Sequence, residues 1–530
     1  MTSGRTPLTQ QLRRVLAAHG ESERTGIPVD EVLGAADERR TVTRRAVLGA
    51  GAALAAGAVL RPRPAAALPA NPRIAIVGSG LAGLRAAHWL FTVKGLRSTV
   101  YEGNTRIGGR CYTLRDFFPG YTVEHGGAFI NTDHNAIRNL VNALGLTLDV
   151  AGGGNYGGLP DKYWIGGSEY PIQAANADWS QVYAGLRAAA QSAPYPQTAF
   201  SQTSAGVALD NMTVDQWLDA NVPGGLSSRF AKLMQSNVQA EYGLDPDQQS
   251  ALNLIYLLGW NNQNSIDPLT GGDEKYTVRG GNDQIVTRMA SQLPAGTVQP
   301  DKKLVAVKTN TDGTVRLTFT TGNSTTDVTA DRVILALPFS TLRDCDLSKA
   351  GFSARKLRAI NELGLGANAK IHVELRDRPW VAQGRGGAAY TEQTGFQCAW
   401  DDTVSQPRPG GVLNFFTAGS QVINGWTGAP FGAAPHGQVQ NFLSQVEPIF
   451  PGTKAAYTGR AYRDLWRLNP WSKGAYTCPR PGQYTGLFGI GSLTEGSVHF
   501  AGEHTSDEYY GFLEGAVISG ERAAKEVALS

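Results

Sequence analysis

The stretch that decides the fold is Arg73-Ile-Ala-Ile-Val-Gly-Ser-Gly-Leu-Ala-Gly-Leu-Arg-Ala-Ala-His88, where an apolar run leads through glycines into a helical pattern. The spacing of Gly78, Gly80 and Gly83 is that of the strand–turn–helix of a dinucleotide-binding unit. There, the first glycine permits the turn, the second lets the backbone approach a pyrophosphate, and the third lets the helix pack on the strand. The helix N-terminus offers N–H donors to the phosphates. The predicted contacts are Gly78, Ser79, Gly80, Leu81, Ala82 and Gly83.

The residues that follow distinguish between the possible nucleotides. A second apolar strand at 98–101 ends at Glu102, about twenty residues after the glycines, where an acid can bind a ribose hydroxyl. An NAD-binding protein is expected to begin another βα unit next. Instead the chain reads Glu102-Gly-Asn-Thr-Arg-Ile-Gly-Gly-Arg110, a Gly-Gly loop between two arginines that suits a second approach to a dinucleotide's phosphates. This favours FAD, with predicted contacts at Glu102, Gly103 and Arg110.

This run resembles the Arg-x-Gly-Gly-Arg segment of the FAD-dependent monoamine oxidase and L-amino acid oxidase family. Glu124-His-Gly-Gly-Ala-Phe129 resembles the family's next flavin-contacting loop, and His499-Phe-Ala-Gly-Glu-His-Thr-Ser-Asp-Glu-Tyr-Tyr-Gly-Phe-Leu-Glu-Gly-Ala-Val517 resembles its closing flavin motif. The resemblance covers residues 72–530. It implies an α/β fold, in which an FAD-binding Rossmann-like domain of glutathione-reductase type is interleaved with an α+β substrate-binding domain.

The resemblance also extends the set of cofactor contacts. It implies that Glu503 accepts hydrogen bonds from ribityl or ribose hydroxyls, and that N–H groups near Ala516 and Val517 face the flavin pyrimidine oxygen. The backbone near Leu304 and Val305 is expected to hold the adenine. The contacts added in this way are Gly126, Gly127, Ala128, Phe129, Leu304, Val305, Trp471, Glu503, Gly511, Ala516 and Val517.

Three residues are the candidates for catalysis. Lys370 lies in a segment where polar and apolar residues alternate, which alone indicates a strand with a solvated edge; the resemblance instead implies a lysine that holds a water against flavin N5. Tyr476 and Phe512 fall where two rings flank the amine in the monoamine oxidases, although ordinary core packing is the alternative. Ala475 stands where the animal enzymes carry the cysteine that bonds to FAD, so non-covalent FAD is expected.

The expected reaction is oxidation of a primary or secondary amine to an imine and then an aldehyde, with release of ammonia and reduction of molecular oxygen to hydrogen peroxide. An L-amino acid oxidase is the main alternative, but it needs a cation for the substrate carboxylate, and residues 126–130 contain no arginine. An amine dehydrogenase with another electron acceptor is a further alternative. Asp507 and Glu508 either bind the far ammonium of a diamine or lie at the surface.

The first seventy residues show a different pattern. Arg44 and Arg45 precede an alanine-rich apolar run at 46–60, which is too short for a membrane span but typical of a signal peptide. Paired arginines predict export by the twin-arginine machinery, to the periplasm or the medium. An ordinary basic amphipathic helix is the alternative. Residues 1–42 form an N-terminal extension with no predicted role, and 43–70 form the signal.

The charge and the cysteine content limit which binding partners can be inferred. The net charge of +3 comes from the leader, because residues 71–530 hold 38 Lys and Arg against 39 Asp and Glu. No nucleic-acid or membrane partner follows, the four cysteines show no metal spacing, and a homodimer is compatible with the sequence.

Periodicity predicts helices over 135–146 and 284–293 and strands over 304–308 and 315–319. The predicted domain parts are 71–150, 274–345 and 463–530 for FAD, and 151–273 and 346–462 for the substrate.

Overall fold

The computed structural model describes residues 68–151, 159–259, 263–264, 266, 274–392, 395–406 and 408–530. The predicted N-terminal extension lies outside these residues, as does the predicted signal peptide apart from residues 68–70. None of the described helices is both long and apolar enough to span a bilayer.

A five-stranded parallel sheet contains the glycine-rich turn. Its strands lie in the order Val498–Phe500, Arg332–Leu335, Ile74–Val77, Thr99–Tyr101 and Val298–Gln299. The central strand is buried at all four positions, as expected for a parallel strand covered on both faces. Because its strands come from distant parts of the chain, this sheet can close only when the first, middle and last segments meet.

A second, eight-stranded mixed sheet lies beside it. Its strands follow the order Phe431–Ala433, Tyr457–Leu465, Ala369–Leu375, Gly411–Thr417, Cys398–Asp401, Ala389–Thr391, Lys162–Ile165 and Ser168–Glu169. Strand Ala369–Leu375 pairs on both sides and is buried at all seven positions. The polar face that carries Lys370 is therefore inside the protein, and the solvated-edge alternative is excluded.

The remaining strands and the helices complete the two layers. A four-stranded sheet and two short pairs comprise Ser324–Ala330, Val315–Thr321, Lys303–Thr309 and Asp346–Lys349, then Thr113–Leu114 with Val123–Glu124, and Leu148–Val150 with Tyr276–Val278. The helices are Leu81–Lys94, Asn135–Ala143, Ile172–Ser192, Ser204–Asp210, Val214–Asn221, Arg229–Tyr242, Ala251–Leu258, Gln284–Ser291, Phe339–Leu342, Ala354–Glu362, Pro379–Ala382, Ser420–Gly425, His436–Val446, Thr453–Ala456, Gln483–Leu487 and Leu513–Leu529.

The predicted α/β fold class and the four predicted elements are confirmed. The helix predicted at 135–146 is Asn135–Ala143, and the strand predicted at 304–308 is Lys303–Thr309. The predicted domain boundaries stay predictions, and strand Tyr457–Leu465 runs across the one placed between 462 and 463.

A glycine sets the distance between the two long helices next to the parallel sheet. A Cβ at Gly520 in helix Leu513–Leu529 would lie 2.2 Å from the carbonyl oxygen of Ala82 in helix Leu81–Lys94. The added methyl group therefore cannot be accommodated unless the two backbones move apart.

We predict that Gly520→Ala lowers the free energy of unfolding by about 1–3 kcal/mol, because overpacking a backbone contact forces the helices apart. The matched control is Gly185→Ala in helix Ile172–Ser192, where a Cβ would meet no atom within 4 Å. That change should stabilise by about 0.5–1 kcal/mol, the usual gain from alanine within a helix. Thermal unfolding followed by circular dichroism measures both variants, and equal midpoints would contradict the close-contact argument.

Candidate active site

A cavity lies at the carboxyl ends of the parallel strands. Gly78, Glu102 and Ala336, which directly follow three of the five strands, line it, as does Gly502, two residues after the end of a fourth. This edge of an open parallel sheet is where α/β proteins bind nucleotides.

The predicted glycine turn has the geometry of a phosphate cradle. Gly78 has a φ of +102°, which favours glycine, and a Cβ at Gly83 would lie 1.9 Å from the carbonyl oxygen of Gly78. A Cβ at Gly80, in contrast, would meet no atom within 4 Å, and Gly80 lines the cavity. Helix Leu81–Lys94 begins at Gly80 without a side-chain cap or an acid in its first turn, so its N–H groups fit an anionic group.

Glu102 lines the cavity but also holds the turn. One carboxylate oxygen accepts the backbone N–H and the hydroxyl of Ser79 at 2.8 and 2.6 Å, and the other accepts the N–H of Asn104 at 2.8 Å. Ser79 therefore contacts Glu102 and does not line the cavity. The acid predicted to bind a ribose has, in addition, the task of fixing the end of its own strand to the glycine turn.

Arg110, which is partly buried, and Glu503, which is buried, form an ion pair between the first and last predicted cofactor segments. The Arg110 guanidinium donates to a Glu503 oxygen at 2.8 Å and to the carbonyl of Ala475 at 2.7 Å. The other Glu503 oxygen accepts the N–H of Gly511 at 2.6 Å. Burial disfavours the charged carboxylate, but Arg110 and the hydrogen bonds outweigh it and lower the pKa of Glu503. Both carboxylate oxygens of Glu503 therefore accept hydrogen bonds from the protein itself. The contacts to ribityl or ribose hydroxyls predicted from the sequence would come in addition to these.

Two of the backbone contacts to the cofactor that the sequence predicts differ in detail from what the structure shows. Ala516 lines the cavity, but its N–H donates to the Phe512 carbonyl at 3.3 Å, so the unbonded N–H groups of this helix belong to residues 513–515. Val305 is the extra residue of a β-bulge between Leu304 and Ala306, which releases its backbone from the ladder with strand Val315–Thr321. Neither Val305 nor Val517 lines the cavity, whereas Leu304 does.

Beyond the glycine turn, the eight-stranded sheet forms one wall of the cavity. Strand pairing places Tyr390, Cys398, Phe416 and Lys370 side by side on one face, and all four line the cavity. Trp400 lies in the next row and contacts Phe416 edge-on, with ring centroids 5.3 Å apart. Together with Tyr476 and Phe512, which also line the cavity, these rings form what we call the aromatic chamber: Tyr390, Trp400, Phe416, Tyr476 and Phe512.

Lys370 lies where the chamber meets the flavin-loop residues predicted from sequence. Its Nζ donates to the carbonyl oxygens of Glu124 and Gly126 at 2.8 and 3.0 Å. An ammonium group has three donors, so one is available to a water or a ligand in the cavity. Its side chain is buried, and the two carbonyls fix its position.

The side chains of Tyr476 and Phe512 are each fixed by a contact with another part of the protein. The Tyr476 hydroxyl donates to the carbonyl of Ala240 at 3.2 Å, and the Phe512 ring packs against His134, with centroids 5.1 Å apart. Both rings border the cavity, so simple core packing does not describe them.

On the same face of the sheet as Lys370 lies a polar network, in which His372, Asp464 and His125 are buried and Asp402 is partly buried. His372 places one ring nitrogen 2.7 Å from Asp402 and the other 2.9 Å from Asp464, and Asp464 is 2.5 Å from His125. Two carboxylate partners favour the imidazolium form of His372, because only that form donates from both ring nitrogens. Burial lowers its pKa, but the hydrogen bonds to Asp402 and Asp464 outweigh burial, and the net pKa of His372 is raised. Asp402 also accepts the Trp400 indole N–H at 2.5 Å, which ties the network to the chamber.

Most predicted site residues thus meet in one cavity, and some contributors were not predicted. Besides those described above, the predicted residues that line it are Leu81, Ala82, Gly103, Gly127, Ala128, Phe129, Trp471 and Gly511, whereas Gly83 packs behind the turn. Tyr390, Trp400, Phe416, Glu241 and Glu274 also line it. No local motif marks them, because strand register and helix packing alone bring them to the cavity. Asp507 and Glu508 are not among the described residues that line it.

Comparison with known proteins agrees with this geometry. The family profile of flavin containing amine oxidoreductases matches residues 81–528. Pseudooxynicotine dehydrogenase of a Pseudomonas species is 23% identical over 507 residues, covering 92% of this chain and 95% of that protein. A flavin-containing amine oxidase of Oncorhynchus mykiss is 25% identical over 479 residues, covering 86% of this chain and 85% of the other.

Among solved structures, cyclohexylamine oxidase from Brevibacterium oxydans superposes with a TM-score of 0.74 at 23% identity, covering 87% of this chain and 99% of that one, and so supports the fold. The chain belongs to the flavin containing amine oxidoreductase family. It is an oxidoreductase that acts on amines, and its cofactor is FAD. The glycine turn, the uncapped helix and the alanine at 475 fit FAD held without a covalent bond.

We predict that His372→Gln destabilises the protein most at low pH. A folded pKa above the ordinary value of 6.5 contributes stability that is complete below pH 6.5 and is lost as pH rises through the folded pKa. The difference in melting temperature between wild type and variant should therefore be large at pH 6 and shrink towards pH 9. Exposed His436→Gln is the control and should show no such trend. A difference that grows with pH would contradict the imidazolium assignment.

Proposed function

We propose that this member of the family is an amine oxidase that converts a primary or secondary amine to an imine, while molecular oxygen is reduced to hydrogen peroxide. The imine hydrolyses to an aldehyde, with release of ammonia from a primary amine or of a primary amine from a secondary one. The observation that carries the proposal is the aromatic chamber, with Lys370 at its border, opening from the predicted FAD cradle. FAD, when bound, supplies the two-electron oxidation.

The residues of the chain prepare the amine. Tyr476 and Phe512 are two of the rings of the chamber. They suit an amine whose nitrogen must be oriented towards the cofactor. Apolar surroundings disfavour an ammonium ion and lower the pKa of a bound amine, which favours the neutral form with a free lone pair. Lys370, held by two carbonyl oxygens, has a remaining donor to orient a water molecule at the border with the FAD cradle.

An α-amino acid is a less suitable substrate. Its carboxylate needs a cation, and the arginines among the described lining residues are already committed. Arg110 pairs with Glu503, and Arg106 donates to the carbonyls of Ile107 and Gly109. Both therefore support the predicted phosphate side of the cavity. This distribution favours an amine oxidase over an L-amino acid oxidase.

A second candidate is an amine dehydrogenase that passes electrons to an acceptor other than oxygen. It is supported by the relative named pseudooxynicotine dehydrogenase, which aligns with nearly the whole chain. The two candidates share the reaction on the amine and differ in the acceptor.

The test is a substrate panel on the purified FAD-containing protein, with aryl-alkyl monoamines, alkyl monoamines, diamines and L-amino acids. We expect amines to bleach the flavin without oxygen and to release hydrogen peroxide in air, while amino acids do neither. Bleaching without peroxide would favour the dehydrogenase. Turnover of amino acids alone would overturn the proposal and require a carboxylate-binding cation elsewhere in the cavity.

We also propose export by the twin-arginine route, supported by Arg44 and Arg45 before the apolar run at 46–60. Replacing both with lysine should retain the protein in the cytoplasm, because the pair is the feature that the export machinery recognises. Cell fractionation followed by immunoblotting measures this. Undiminished export of the double variant would contradict the proposal.

A further inference from the structure

We propose that His125 takes up the proton that an ammonium substrate loses in the cavity, and that the network of His125, Asp464, His372 and Asp402 holds this proton until oxygen is reduced. This inference rests on the proposed function and assigns one proton of the same reaction to a named atom of the chain.

The proposed reaction requires that one proton be held between its two halves. Near neutral pH an alkylamine is mainly R–CH2–NH3+, since its pKa is close to that of lysine, about 10.4. Loss of an N–H proton leaves the electron pair on nitrogen, and transfer of a hydride equivalent to the cofactor then gives R–CH=NH2+. Reduction of oxygen to H2O2 consumes the hydride equivalent and one further proton. A group that binds the first proton can therefore supply the second.

His125 connects the network to the cavity, which it lines. Its Nδ1 lies 2.5 Å from a carboxylate oxygen of Asp464. A carboxylate only accepts hydrogen bonds, so Nδ1 carries a hydrogen, and Nε2 is the nitrogen at which a proton is gained or lost. Among the described residues, none forms a hydrogen bond with this Nε2. The His125 ring is therefore fixed on one side by Asp464 and can accept a proton on the other.

The pair of His125 and Asp464 lies next to Lys370. Glu124 and Gly126 flank His125 in sequence, and their carbonyl oxygens accept the Lys370 ammonium at 2.8 and 3.0 Å. Strand pairing places Asp464 directly opposite Lys370 in the sheet. A general base acts in direct contact or through one water, and the remaining donor of Lys370 can orient such a water. Proton uptake at His125 therefore fits the border between the chamber and the FAD cradle.

The charges of the network leave it able to bind one proton. With His125 neutral, the carboxylates of Asp464 and Asp402 and the imidazolium of His372 together carry one negative charge. Burial disfavours the charged form of Asp464, but the charges of His125 and His372 and the hydrogen bonds from them outweigh burial and lower the pKa of Asp464. Protonation of His125 makes the network neutral, which a poorly solvated interior favours.

The charged groups around the network determine how firmly the proton is held. Lys370 is a cation on the same face of the sheet and opposes protonation of His125, so that the proton can be given back. Glu374, on the same strand, is offset by Arg460, which lies 2.9 Å from it. The other titratable groups that face His125 are Tyr112, which stacks on its ring, Arg106, which lies over the Tyr112 ring, Tyr462, which contacts His125 edge-on, and Glu124.

Glu124 is the alternative proton acceptor in this loop. Burial raises the pKa of its carboxyl group to about 8, so it can exchange a proton near neutral pH. However, both of its oxygens accept the Thr113 hydroxyl, and one also accepts the backbone N–H of Asn282 at 2.7 Å. Glu124 is also not among the described residues that line the cavity, whereas His125 is. This difference favours His125 as the group that takes the proton.

The experiment counts the protons released when an amine bleaches the flavin of the full FAD-containing enzyme without oxygen. The best primary monoamine of the substrate panel is added at about pH 8, where it is still mainly the ammonium ion, in weak buffer with a pH indicator. Wild type should release close to no proton. His125→Gln should release about one proton per flavin bleached, because the imidazole that binds it is missing.

The matched control is His499→Gln, which should behave as wild type. His499 is also a buried histidine whose Nδ1 lies near a carboxylate, that of Glu526 at 3.1 Å, but it is not among the described residues that line the cavity. Flavin absorbance verifies that each variant is folded and loaded. If His125→Gln is not, Asp464→Asn is the second test and should also release a proton, since the charge that stabilises a protonated His125 is lost.

Admission of oxygen gives the second half of the count. The variant that released a proton should take up about one as peroxide forms, whereas wild type should take up close to none. Release of about one proton by wild type, or retention of the proton by flavin-loaded His125→Gln, would overturn the inference and leave the amine oxidase intact. Absence of flavin bleaching by every amine would overturn both.

Discussion

The ion pair between partly buried Arg110 and buried Glu503 joins two parts of the chain that lie 393 residues apart in sequence. The same two side chains also bind the backbone at Ala475 and Gly511, so four loops meet at one point. Removing Arg110 would leave the buried Glu503 carboxylate without its charged partner, which costs about 3–5 kcal/mol. Together with the packing of helix Leu513–Leu529 on helix Leu81–Lys94, this contact joins the first and last segments that supply the loops of the cofactor cradle.

The eight-stranded sheet supplies what the cradle lacks, a rigid wall of side chains. Its central strand, Ala369–Leu375, turns Lys370 and His372 to the same buried face. A buried lysine and imidazolium are tolerated because each has partners: two carbonyls for Lys370 and two carboxylates for His372. The network also reaches Trp400, so the charge that stabilises the sheet interior fixes part of the aromatic chamber.

The sequence predicts the cradle well because the cradle is local. Gly78, Gly80 and Gly83 follow one another at short, fixed spacing; Gly78 and Gly83 each meet a steric requirement that the structure displays directly, and Gly80 lines the cavity. The chamber is different, because Tyr390, Trp400 and Phe416 become neighbours only through the register of three strands. Nothing in the composition of a single strand reveals that register. Polar alternation around Lys370 is likewise ambiguous until the strands on both sides are known.

The same division explains why family membership specifies the chemistry and leaves the substrate open. The cradle is built largely from backbone groups, glycines and one ion pair, which recognise a cofactor that does not vary. The chamber is built from side chains on separate elements, where one replacement changes the charge that a ligand meets. Glu241 illustrates this, since it lines the cavity although it belongs to a helix that contributes nothing to the parallel sheet. Selectivity for a charged or a neutral amine can therefore change at such a position while the FAD fold and its chemistry stay as they are.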